Sequence, residues 1–302
     1  IFISFFNDIS IKDTQKVGGK NSSLGEMYNN LFSKNIKVPN GFALTCEAYR
    51  YFITHNNLES KIKYQLDKLE NNNSNEMIKN VGYNIRNMII ESEFPNNLIL
   101  EIKNSYKTLS NEYNVNNLDV AIRSSANAED LPDASFAGQQ ETYLNVKGID
   151  NVLLSIKNCY ASLFTNRVIS YRISKKFDHT KVYMSVGVQK MVRSDLGSAG
   201  VAFSLDTESG NNNIILINSS YGLGEMVVSG QIKPDEFIVH KDRLKNGYKA
   251  IIDKKLGNKN EKLVYSNKGN QRLEKKFVNS NQQMIFSLND EQIIELSNYV
   301  LI

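Results

Sequence analysis

Apolar residues recur at two different spacings along this chain, and the change of spacing divides it. Up to about residue 175 they fall mostly three and four apart. Leu24, Met27, Leu31 and Phe32 fit one helix face, with Asn21 or Ser22 placed to cap its start. Val38-Pro39-Asn40-Gly41-Phe42 reads as a turn into a short strand over 42–44, followed by a helix over about 47–52. Polar sequence with periodic Ile, Leu and Met over 57–113 predicts several helices, interrupted at 71–75 and at Phe94-Pro95-Asn96. Strands over 119–123 and 142–146 come next. One long helix over about 148–175 then carries Val152, Ile156, Tyr160, Leu163 and Phe164 on one face.

Beyond residue 181 the spacing becomes that of strands. Residues 182–192, reading VYMSVGVQKMV, form a long β-type run, and 200–205, 213–218, 235–240 and 262–265 continue the pattern. The last stretch, 289–302, opens with a capping pattern at Asn289 and places Ile293, Ile294, Leu296 and Val300 on one face. A helix-rich first half and a strand-rich second half predict an α+β chain of two lobes, 1–190 and 191–302.

Candidate chemistry concentrates in 120–146, VAIRSSANAEDLPDASFAGQQETYLNV. An apolar strand delivers Arg123 to a sheet edge. A loop of small residues follows, then Glu129 and Asp130, a proline turn, and the flexible pair Ala137-Gly138. Arginine suits phosphate because its planar fork makes two parallel, charge-assisted hydrogen bonds. For an isolated Arg-Ser-Ser a surface loop with a solvated arginine is the better reading, and the length of this segment is what tips the balance.

Lys20 follows Gly18-Gly19 and stands at a helix start, where the positive end of the helix and an ammonium together favour an anion. The GxxxxGK[ST] spacing is absent, so this is no Walker A loop, and a plain turn with an exposed lysine is the competing reading. Gly138 lets backbone N–H groups approach a phosphate. Thr142 offers a hydroxyl, or is simply a β-branched strand residue. Gln189 either faces a ligand or is one position of an alternating strand. Glu225 reads as a carboxylate bracing its glycine turn, and Asp206 with Glu208 as an acidic turn, so no metal ligands are assigned.

Composition narrows the classes further. With 302 residues and 41% hydrophobic content the chain can bury a sizeable core. The net charge of +4 comes from scattered Lys and Arg, which does not mark a nucleic-acid surface. Cys46 and Cys159 lie far apart without metal spacing, as expected of reduced thiols in a cytoplasmic protein. No apolar run is long enough to span a membrane, and the first residues lack the pattern of a secretory leader. Asparagine runs at 71–73 and 211–213 read as polar surface loops. The absence of a starting methionine at Ile1 suggests a fragment or a processed product.

Three more stretches join 120–146 in a fixed order: VGGKNSSLGEM (17–27), SAGVAFSLDTESG (198–210) and INSSYGLGEMVVSGQIKPDEFIVHK (217–241). Together they resemble the ATP-binding part of the pyruvate phosphate dikinase family. The Asp-Thr-Glu-Ser-Gly and Lys-Pro-Asp-Glu-Phe details look most like its phosphoenolpyruvate synthase (pyruvate, water dikinase) branch. The resemblance implies an ATP-grasp-like fold in which Lys20 and Arg123 bind the phosphates and act in catalysis. It also implies that Gly138 and Thr142 close over ATP, and that Gln189 lies in the adenine pocket with Met191 or Val192 as an apolar floor.

It further implies Mg2+, with metal ligands expected beyond Ile302, and as partners pyruvate and a phosphohistidine domain, with a homodimer as one assembly. Family members relay phosphate through a histidine in a Gly-Gly-x-Thr-x-His type setting, which His55, His179 and His240 all lack. On this resemblance the chain ends before two further strands, so an unpaired sheet edge is expected. A rifampin-phosphotransferase-like enzyme and a non-catalytic remnant are the alternative readings.

Overall fold

Alternation along Met-Ser-Val-Gly-Val-Gln-Lys builds the centre of the first sheet. The computed structural model describes residues 1–71, 73–127, 130–131, 134–135, 141–266 and 272–302, and the chain divides into two units, Ile1–Met191 and Val192–Ile302. In the first unit the strands are β1 (Ile3–Phe5), β2 (Gly41–Leu44), β3 (Val120–Ala126), β4 (Asp130–Leu131), β5 (Ala134–Ser135), β6 (Thr142–Val146) and β7 (Met184–Lys190). The helices are α1 (Thr14–Leu31), α2 (Cys46–His55), α3 (Leu58–Asn71), α4 (Asn75–Glu91), α5 (Asn96–Glu112), α6 (Ile149–Ser162) and α7 (Asn166–Ser174). Five strands form one antiparallel sheet in the order β1-β2-β7-β3-β6, while β4 pairs with β5.

The two faces of this sheet differ because side chains alternate along each strand. Phe42, Leu44, Val120, Ile122, Val146, Met184, Val186 and Val188 point into a large apolar core with residues of α2 to α6, among them Phe52, Ile85, Leu98 and Tyr160. The opposite face carries Ala43, Ala121, Ser125, Ser185 and Gly187. Those small residues allow α1 to lie directly on β3 and β7, with Phe6, Ile9, Val17 and Ala43 forming a second small cluster.

Two expectations from the sequence need correction here. First, α1 starts at Thr14, not near Asn21, and breaks at Gly18, whose φ of 74° and ψ of 164° lie outside the helical range. Asn21 and Ser22 therefore sit inside the helix and are buried. Second, the helix expected over 148–175 is two helices. The chain turns after Ser162, and Thr165 caps a fresh start by accepting from the Val168 N–H at 3.4 Å. The first half is helix-rich as expected, and four of the five strands of its main sheet fall where strands were expected. β1 escaped notice because three residues show too little alternation.

The second unit contains β8 (Ser198–Phe203), β9 (Ile214–Tyr221), α8 (Glu225–Val228), β10 (Asp235–His240), α9 (Lys241–Lys245), β11 (Ile251–Lys255), β12 (Glu261–Tyr265), β13 (Leu273–Phe277), α10 (Ser280–Gln283) and α11 (Asp290–Leu301). Its main sheet is antiparallel in the order β11-β10-β9-β8, and β12 pairs with β13. β11 and β13, reading IIDKK and LEKKF, are largely exposed, and their lysines hid them from an apolar pattern. Ile293 of α11 joins Ile215, Ile217, Phe237 and Val239 in the core of this unit. The expected cap at Asn289 is a full capping box with Gln292. The acidic turn also forms: Asp206 Oδ1 accepts from the Glu208 N–H at 3.1 Å. The chain is thus an α+β protein. Among the described residues no helix is long and apolar enough to cross a membrane.

Candidate functional site

β3 is buried at every position except Arg123. A strand sealed on both faces normally has no use for a cation, so the exception marks a place where the sheet meets solvent. Register then fixes the neighbours of Arg123. It pairs with Gly187 of β7 on one side and Thr142 of β6 on the other, and directly opposed residues of an antiparallel pair project to the same face. Gln189 lies two residues along β7 from Gly187 and pairs with Ala121 and Gly41, so it shares that face as well. Thr142 is exposed, whereas Gln189 is only 8% exposed.

The helix bearing Lys20 lands on the same face. A side chain at Gly18 would put its Cβ within 2.3 Å of Ser125 Oγ and 2.4 Å of the Ser125 carbonyl oxygen, so the bare backbone touches β3. The positive φ at Gly18 ends the first turns of α1 and lets helix resume at Gly19, which places Lys20 in the first turn of the resumed segment. Asn21 then anchors it. Its backbone N–H donates to Ser125 Oγ at 3.4 Å, and its Nδ2 donates to Ser185 Oγ at 3.0 Å and to the Val17 carbonyl at 3.1 Å. Ser185 Oγ passes the chain on to the Leu44 carbonyl at 2.6 Å.

Electrostatics agree with this placement. Lys20 is exposed. Burial pushes the Cys159 thiol up; the Glu141 carboxylate, next to Thr142, raises it further, and the Lys20 ammonium opposes both. Loss of hydration lowers the pKa of Arg123 although its side chain reaches solvent. No described residue makes an ion pair or side-chain hydrogen bond with its guanidinium. A solvent-reachable, partly dehydrated cation of this kind attracts an anion more strongly than one in open water.

The structure therefore brings Arg123, Thr142 and Gln189 onto one sheet face with the Lys20 helix seated on it. Gln189 is already engaged, since its Nε2 donates to the Pro39 carbonyl at 3.1 Å. The backbone N–H groups of Lys190 and Met191 are taken by the Asn40 and Asp119 carbonyls, both at 3.0 Å. Gly138 lies outside the described residues. By sequence Asn21 was read only as a helix cap, and Ser125, Ser185 and Gly187 were not singled out. A signal for the last two did exist: in Met-Ser-Val-Gly-Val-Gln-Lys, small or polar residues alternate with apolar ones, which marks a second, non-core face.

His179 has its Nδ1 buried with no hydrogen-bond partner among the described residues, and burial, assisted by the Arg172 guanidinium, lowers its pKa to about 4. The unfolded chain therefore takes up a proton first as pH falls from about 6.5 towards 4, so folding stability is full above that window and lost through it. We expect urea denaturation at pH 7, 5.5 and 4.5 to show this loss, and His179→Gln to flatten it. An unchanged slope in the variant would assign the loss to other groups.

Comparison with known proteins places this chain in a class. The sequence matches the family described as pyruvate phosphate dikinase, AMP/ATP-binding domain, over residues 14–302, and the chain belongs to that family. Among its relatives, the phosphoenolpyruvate synthase of Aquifex aeolicus is 49% identical over 98% of this chain and 34% of the relative. That of Helicobacter pylori is 48% identical over 99% of the chain and 37% of the relative. That of Escherichia coli is 44% identical over 98% and 37%. The chain thus spans little more than a third of the length of these relatives.

Proposed function

We propose that this chain is the ATP-binding part of a pyruvate, water dikinase, with Ile1–Met191 and Val192–Ile302 as its two lobes. In that reaction ATP, pyruvate and water yield phosphoenolpyruvate, AMP and phosphate, the transferred phosphoryl group travelling on a histidine of another domain. One observation carries the reading for this chain: Arg123 is the exposed residue of a buried strand, flanked by Thr142 and Gly187 and overlain by the Lys20 helix.

Phosphoryl transfer depends chiefly on positioning and on neutralising charge. The Arg123 fork donates two hydrogen bonds to phosphate oxygens, and Lys20 adds a second positive charge at the start of a helix. The Thr142 hydroxyl donates a further bond. Gln189 keeps its Nε2 on Pro39 and offers Oε1 to the adenine amino group. Gly138, outside the described residues, keeps the phosphate-binding role that the family resemblance gives it.

Magnesium enters with ATP as the counter-ion of its phosphates. Among the described residues no group of three His, Cys, Asp or Glu side chains could hold a metal, and no step is assigned to the ion. A cytoplasmic setting and a homodimer complete the proposal; the buried free thiols of Cys46 and Cys159 suit a reducing compartment. Calorimetric titration with ATP and magnesium is expected to give saturable binding. No heat up to millimolar nucleotide would reject the reading.

A further inference from the structure

We infer that Asn21 is a positioning residue for the phosphate site: its carboxamide, seated on the bare backbone of Gly187, fixes how close Lys20 stands to Arg123. The inference rests on the proposed ATP-binding role and adds a residue to it. Asn21 is 1% exposed, and a buried carboxamide within a helix is an unfavourable choice unless its polar atoms are used. Its Nδ2 is committed to Ser185 Oγ and the Val17 carbonyl, at 3.0 and 3.1 Å.

Its Oδ1 lies where a side chain at position 187 would begin. A Cβ built there falls 2.3 Å from Asn21 Oδ1, and the three nearest heavy atoms all belong to Asn21. The contact is thus between one side chain and one missing side chain. Gly187 is also the register partner of Arg123, and Lys20 immediately precedes Asn21. Added volume at 187 displaces the Asn21 carboxamide, whose bonds to Ser185 and Val17 tie it to its helix, and so shifts Lys20 relative to the strand pair that holds Arg123.

This geometry gives a test by reciprocal substitution. Gly187→Ala is expected to weaken ATP binding by about ten- to a hundredfold, the loss typical of displacing a binding group by about an ångström. Asn21→Ala removes the obstructing carboxamide, so the Asn21→Ala/Gly187→Ala double variant should bind ATP about as well as Asn21→Ala alone, a coupling that additive effects would not produce. In a Lys20→Ala background Gly187→Ala should cost nothing further, which a purely structural defect would not show.

The inference is overturned if Gly187→Ala binds ATP as the parent does, if the double variant binds no better than Gly187→Ala, or if the Gly187→Ala loss persists without Lys20. Should Gly187→Ala fail to fold, the double variant is expected to fold; its failure would place the obstruction elsewhere and also reject the inference. Absence of ATP binding by the parent protein would instead reject the functional reading itself.

Discussion

Arg123→Ala is expected to weaken ATP binding at least about a hundredfold, because hydrogen bonds to charged groups contribute about 1.5–3 kcal/mol each and a bidentate guanidinium makes two. The fold should survive the change. Arg123 reaches solvent, and no described residue depends on its guanidinium for an ion pair or hydrogen bond. Its strand remains held by six buried neighbours and by pairing on both sides. Lys20→Ala should lose less, since a flexible ammonium makes a single point contact where Arg123 makes a fork. Arg123→Lys should fall between parent and alanine variant for the same reason. Parent-like ATP affinity in Arg123→Ala, with an unchanged melting curve, would remove Arg123 from the site.

The largest effect on stability is expected in the second unit. Asp235 and Lys259 form an ion pair at 2.5 Å with both side chains fully buried. Every polar atom is used. Asp235 Oδ1 also accepts from the Gly257 N–H at 2.8 Å, and Oδ2 accepts from the Ser287 N–H and hydroxyl at 2.7 and 2.8 Å. Lys259 Nζ further donates to the Gly257 and Gln283 carbonyls at 3.2 and 3.3 Å.

Asp235→Ala would strand a buried ammonium and two backbone N–H groups. Breaking such a pair costs about 3–5 kcal/mol, whereas replacing both members by apolar residues is often near neutral. Denaturant unfolding should therefore show a much earlier transition for Asp235→Ala than for Asp235→Leu/Lys259→Met. A single variant within about 1 kcal/mol of the parent would contradict this account of the pair. Asp235 belongs to the Lys-Pro-Asp-Glu-Phe stretch that carries part of the family resemblance, and its observed role is to tie β10 to the segments around Gly257 and Ser287.

Legibility in the sequence followed the range of the interactions. The strands at Thr142–Val146 and Asp235–His240 were read with their bounds because alternation is a property of consecutive residues. The cap at Asn289 was read because its partner, Gln292, is three residues away. Asn21 was misread as a cap by the same local rule. Its real partners, Ser125 and Ser185, are 104 and 164 residues distant, and no window of neighbouring residues contains them. The break between α6 and α7 was missed because the apolar spacing continues across it, while Thr165 as a cap competes only through a single side-chain hydrogen bond.

By itself the sequence determined most of the elements and the candidate site residues: Lys20 behind two glycines, Arg123 in an apolar strand, Thr142 and Gln189 in strands of their own. Which of these residues share a surface was decided only when β7 inserted between β2 and β3 and set Gly187 against Arg123. Register between distant strands depends on packing one whole face into the core, and a shift of a single residue would turn Arg123 inward. That choice is made by the side chains of Phe42, Ile122, Val186 and Val188 acting together, so it belongs to the folded protein and to no segment of it alone.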